Sequence, residues 1–119
     1  MTQAQPKVYR GQRVYNDPSG TSVMVCYRDG SSVPLAWRLD LRNHSPTGLE
    51  WGYGGSGPAQ LALAVLADAV GSEVALELYQ QFKWQWAAGL KADTWEINEA
   101  QVRTWVERTR KEAQYDVKE

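Results

Sequence analysis

The stretch GYGGSGPAQLALAVLADAVG, Gly52 to Gly71, sets a flexible run directly against a helix with almost no polar side. Gly52, Gly54, Gly55 and Gly57 crowd its first half, whereas from Ala59 to Val70 only Gln60 and Asp68 are not Ala, Leu or Val. A helix that is apolar nearly all round cannot lie on a surface, so Pro58–Val70 is predicted to be central and covered on more than one face. Gly57 at the cap and Pro58 at the first helical position are a favoured start. Gly71 suits the left-handed residue that closes a helix, and Ser72 is placed to cap the next one at once. That second helix is predicted over Glu73–Ala88, antiparallel to the first, with Val74, Leu78, Phe82 and Trp86 at four-residue spacing.

Toward the N-terminus the pattern is that of strands. Lys7–Tyr15 reads as a bulged strand or short hairpin around Arg10-Gly11-Gln12, and Asn16-Asp17-Pro18-Ser19-Gly20 as a turn. Ser22–Tyr27 is short, apolar and β-branched. Asp29-Gly30 marks a hairpin turn, after which Ser32–Leu41 alternates at period two through Val33, Leu35, Trp37, Leu39 and Leu41, the clearest strand signal in the chain.

Toward the C-terminus, Gly89-Leu90 resembles a Schellman ending, and Trp95-Glu96-Ile97 a short edge strand. Asn98 with Gln101 forms a capping box for a third helix over about residues 99–113, with Val102, Trp105 and Val106 on its apolar face. The expected architecture is α+β: a small N-terminal antiparallel sheet of about three strands, packed by a helical hairpin and a C-terminal helix. Residues 1–119 are expected to be one domain, with 1–6 and 114–119 flexible.

Composition bounds the function. A 119-residue chain with 43% hydrophobic and 23% charged residues is ordinary for a globular domain. No run approaches the roughly 20 apolar residues that span a bilayer. The polar N-terminus lacks a signal-peptide core, and Cys26 is the only cysteine, so a reducing, cytoplasmic setting without a cysteine-built zinc site is expected. The net charge of −1 argues against indiscriminate nucleic-acid binding. Charge is uneven, however: residues 1–44 are net basic and the remainder net acidic, which could give the sheet a basic face for an acidic partner.

Gly52, Gly54 and Gly57 match G-x-G-x-x-G, but a dinucleotide site needs a strand after the helix, and here a second helix follows. Pro58-Ala59 also replaces the lysine and hydroxyl pair of a P-loop. The helix start has no acidic side chain in its first turn, so Gly54, Gly55, Ser56 and Gly57 stand as candidate anion ligands. His44 is the only histidine and reads as a solvent-exposed loop residue; Cys26 reads as a core thiol. Glu50 and Asp68 could act as carboxylates, but no spacing pairs them. No catalytic residue, metal site or cofactor is assigned.

Tryptophan is over-represented, with six copies. Trp37, Trp86 and Trp105 fit the core pattern. Trp51, Trp84 and Trp95, with Tyr53, Arg38 and Arg42, are the candidate contact residues, because aromatic and arginine side chains anchor interfaces.

The run Ser45–Ala64 (SPTGLEWGYGGSGPAQLALA), with Tyr9-Arg10-Gly11 and Tyr79-Gln80-Gln81-Phe82-Lys83, resembles a small uncharacterised bacterial, plasmid and phage family, domain of unknown function 6166. The likeness spans about residues 8–107 and implies no activity, cofactor or catalytic residue. Its link with mobile elements implies an accessory or counter-defence role. The expected function is therefore a non-catalytic protein-interaction domain that binds, and could inhibit, a host defence complex. The alternative is an anion- or nucleotide-binding module, or small hydrolase, centred on Gly52–Pro58 and Glu50.

Overall fold

The computed structural model describes residues 6–15 and 20–117, with side chains as far as residue 113. Four strands, β1 (Val8–Arg13), β2 (Thr21–Cys26), β3 (Ser32–Pro34) and β4 (Thr94–Asn98), form one antiparallel sheet in the order β3-β2-β1-β4. The α-helices among the described residues are α1 (Ser56–Val70), α2 (Ser72–Gln85) and α3 (Glu99–Val117). The α+β class holds, with the Trp95 segment adding a fourth strand at the sheet edge.

Side-chain alternation divides the sheet into two faces. Tyr9, Gly11, Val23, Val25 and Trp95 are buried on the inner one, whereas Arg10, Gln12, Met24 and Cys26 lie on the outer one. Cys26 is thus a half-buried residue of the outer face and not a core thiol, because it is one position out of phase with Val25. Gly11 makes no turn. It pairs with Val23 on one side and Trp95 on the other, and a Cβ there would sit 2.2 Å from the Trp95 indole. The ring therefore fills the place of the missing side chain. It also meets Trp51 and Trp86 edge to face, with centroids 5.6 and 5.0 Å away.

Behind this face, α1 is enclosed: Gly57 to Ala67 is buried without a break. It packs against α2, α3 and the 3-10 turn Ala87–Gly89. Tyr9 and Lys7 tie it to β1 by hydrogen bonds of 2.7 and 2.8 Å to Asp68 Oδ2. The helix begins two residues earlier than its proline suggests, with Gly55 as the cap and Pro58 inside the first turn. Gly71, at φ 95°, ends α1 and caps α2. Ser72 is therefore a helical residue, and its hydroxyl accepts a hydrogen bond from Arg38.

Further sequence expectations change. The Ser32–Leu41 strand stops at Pro34, which has no N–H to extend the ladder, and Leu35 N donates the last bond, to Val23 O. Arg38 then turns at φ 60°, held by Asp40 and Ser72, while Trp37 and Leu41 pack on the core from a loop. Of the alternating residues, Leu35 is buried and Trp37 and Leu41 are partly so, all outside the strand, whereas Val33 inside β3 is exposed. The Gly89-Leu90 ending is replaced by the 3-10 turn, since α2 stops at Gln85. Residues 16–19 of the predicted turn lie outside the described residues, as do 1–5 and 118–119 of the ends expected to be flexible, whereas α3 continues to Val117. The capping box forms as expected, with Gln101 N bonded to Asn98 Oδ1 and Asn98 N to Gln101 Oε1.

Gly11→Ala should destabilise the fold by at least about 1–3 kcal/mol, the usual cost of overpacking a core, since the methyl must displace the Trp95 ring. An unchanged urea midpoint would contradict this packing. A second expectation concerns pH. Burial, then the hydrogen bond to Asp68, pushes the Tyr9 hydroxyl far above its ordinary pKa. For Lys7 burial acts downward, but the hydrogen bond and charge of Asp68 outweigh it and raise the ammonium. Both groups hold their protons more tightly when folded, so their contribution is complete below the unfolded pKa and is lost as pH rises toward the folded one. Stability should fall above about pH 10, and Tyr9→Phe should flatten that fall by up to about 1.4 kcal/mol per pH unit. Equal slopes for the two proteins in alkaline urea titrations would refute the linkage.

Candidate functional site

The glycine loop is stitched to the segment that follows α2. Gly52 N donates to Ala87 O at 3.0 Å, Trp51 Nε1 to Ala92 O at 3.0 Å, and Lys91 Nζ to Gly52 O at 2.9 Å. Gly52 itself has φ 93°, a left-handed conformation open to glycine, and a Cβ would lie 2.9 Å from Leu90 O. The loop thereby fixes two aromatic side chains on the surface. A Cβ on Gly54 would sit 2.1 Å from the Trp84 ring and one on Gly55 2.4 Å from the Tyr53 ring, so each indole or phenol rests on bare backbone. Both rings keep an open side: Trp84 is 61% exposed and Tyr53 51%.

Below Trp84 lies Lys83, only 8% exposed. Its Nζ stands 4.3 Å from the indole centroid and 3.4 Å from Gly54 O. The ammonium, the indole and the glycine carbonyl thus lock one another, a cation–π contact reinforced by burial. Trp84 points outward because it falls off the Leu78–Phe82 stripe that faces the core.

Beside Tyr53, a shallow polar depression is lined by Arg13, Glu50 and Lys91. Its arginine and its carboxylate are already paired. Arg13 Nη1 donates to Glu50 Oε1 at 2.7 Å, its Nη2 donates to Trp51 O, its Nε lies 3.5 Å from Asp93, and its guanidinium sits over the Trp51 ring. The loop offers its Gly52 and Gly54 carbonyls to lysines, and the Glu50 side chain packs where a Gly57 Cβ would be. Carbonyls and a carboxylate at the start of α1 oppose an anion there.

The structure brings together Tyr53, Trp84, Gly54, Gly55 and exposed Ser56, and separates the other candidates from them. Gly57 is buried beneath Glu50 and Tyr53. Trp51 is 1% exposed and Trp95 9%, so both belong to the core and offer no surface anchor. Arg38 is paired with Asp40 in the loop after β3 and bonds Ser72 at the start of α2, and Arg42 is exposed, donating to the Leu41 carbonyl. His44 is half-buried and hydrogen-bonded through Nε2 to Tyr79 at 2.7 Å, not a free loop residue. Glu50 and Asp68 serve separate ion pairs, with Arg13 and Lys7. Sequence reading did not identify Lys83 and Lys91 as site residues; their partners, Gly54 and Gly52, are about 30 and 40 residues away, and no spacing rule joins them. Among the described residues, no cluster of three His, Cys, Asp or Glu side chains could hold a metal ion, and no helix is long and apolar enough to cross a membrane.

Trp84→Ala should cost less than about 1 kcal/mol, as expected of a surface substitution, whereas Trp51→Ala should cost about 3–5 kcal/mol. Comparable losses in urea unfolding would contradict this division between anchor and core.

The chain belongs to a family of unknown function (DUF6166), whose profile matches residues 9–108. No curated protein and no solved structure matches it.

Proposed function

We propose that this family member is a non-catalytic protein-interaction domain that presents Tyr53 and Trp84 to a partner. The observation that supports the reading is the pair of exposed rings seated on Gly54 and Gly55. A ring already held in place loses little freedom on binding, so its apolar area contributes to affinity with a small ordering cost. Tryptophan and tyrosine in such positions are typical interface anchors. The hydrolase and nucleotide alternatives draw less support, since Arg13, Glu50 and Asp93 beside the loop are spent on one another.

The biological setting we assign is cytoplasmic: an accessory protein of a phage or mobile element that binds and inhibits a host defence complex. Its support is the resemblance to a family found on such elements, together with a surface suited to docking.

The test is affinity capture from host lysate at low salt with the native chain, the Tyr53→Ala/Trp84→Ala double variant and Arg42→Ala. The native chain and Arg42→Ala should retain a stoichiometric protein that the double variant releases, with affinity reduced at least about 30-fold, or 2 kcal/mol, as for loss of a hot spot. Retention of no protein, or equal retention by the double variant, would sink the proposal.

A further inference from the structure

We infer that the partner surface docking on Tyr53 and Trp84 is acidic, with a carboxylate meeting Lys83 and Lys91; this rests on the docking role proposed above. Most cations whose contacts are described have a carboxylate within ion-pair distance: Lys7, Arg10, Arg13, Arg38, Arg103 and Arg110 all do. Lys83 and Lys91, which flank the exposed rings, do not. Their contacts are with backbone carbonyls, Gly54 for one and Gly52 and Ala88 for the other, at 3.4, 2.9 and 3.4 Å respectively.

A carbonyl dipole orients an ammonium but leaves its net charge in place, and each ammonium has three donors to satisfy. For Lys83 this matters most, because its charge is largely withdrawn from water and held by one long hydrogen bond and one indole face. A carboxylate brought to the rim of Trp84 would gain a charge-assisted hydrogen bond in a site that the partner itself shields from solvent. An apolar side chain next to it would cover the open face of the indole.

A nucleic-acid backbone fits less well. Phosphate recognition uses several cations in a row. The next cation along this surface, Arg13, is already committed to Glu50 and Asp93, and the whole chain is net negative. An acidic protein segment needs only the two ammonium groups that lack a carboxylate partner and the two rings.

The experiment is selection of a surface-displayed library of random 16-residue peptides on the intact chain, followed by affinity measurement with individual synthetic peptides. Selected peptides should combine Asp or Glu with a Leu or an aromatic residue. Their affinity should fall at least about tenfold with Lys91→Glu and with Trp84→Ala, fall with rising salt, and stay unchanged with Arg42→Glu. Lys91→Met, which removes the charge without reversing it, should lie between native and Lys91→Glu. Selected peptides that need Trp84 but carry no acid would overturn this inference and leave the docking role standing. Peptides that bind native and Trp84→Ala alike would overturn both. An oligothymidylate that binds more tightly than every selected peptide, and is lost with Lys91→Glu, would overturn the acidic-protein assignment in favour of phosphate.

Discussion

A helix that is apolar on every side can exist in water only if other segments enclose it, and α1 imposes that condition on the rest of the chain. The sheet, α2, α3 and the irregular segment between β3 and α1 each supply part of the cover. The one polar side chain wholly inside this helix decides how the irregular segment runs. Gln60 is 0% exposed; its Oε1 accepts from the backbone N–H groups of His44 and Ser45, and its Nε2 donates to Trp37 O. A buried amide left without partners would cost about 1–3 kcal/mol, so the segment is held where it can satisfy Gln60. That placement delivers Leu49 and Trp51 to the core, and Glu50 and Tyr53 to the surface.

The same packing device appears at two depths. Inside, Trp95 covers Gly11 on a neighbouring strand; outside, Trp84 covers Gly54 on the loop. In each case the absent Cβ lets an indole approach the peptide backbone closely, which gives a large contact for one small residue. The inner pair closes the sheet against the helices. The outer pair leaves one indole face in water, a feature that folding alone does not require and that binding can use.

Periodicity made α1, α2 and α3 legible, and the Asn98–Gln101 box was readable as a cap because its bonds join residues three apart in sequence. What could not be read depended on distant partners. The alternation signalled burial for Leu35, Trp37 and Leu41 but not for Val33, and whether such a segment pairs as a strand depends on ladder bonds that Pro34 and Arg38 interrupt. Trp51 and Trp84 looked alike as aromatic candidates. Their opposite fates follow from the loop path set by Gln60 and from the side of α2 on which residue 84 falls. Lys83 lies buried against a carbonyl 29 residues earlier in the chain, a contact that helical spacing alone would not identify.

The docking role depends on the Trp84 ring being held before any partner arrives. Proton NMR of the free chain tests this directly, through the Gly54 Hα resonances. An indole fixed against Gly54 predicts strong ring-current shifts for those protons and cross-relaxation with the Trp84 ring. Gly54 Hα signals at unfolded-chain positions, with no cross-relaxation to that ring, would show a side chain swinging freely in solvent and would contradict the account.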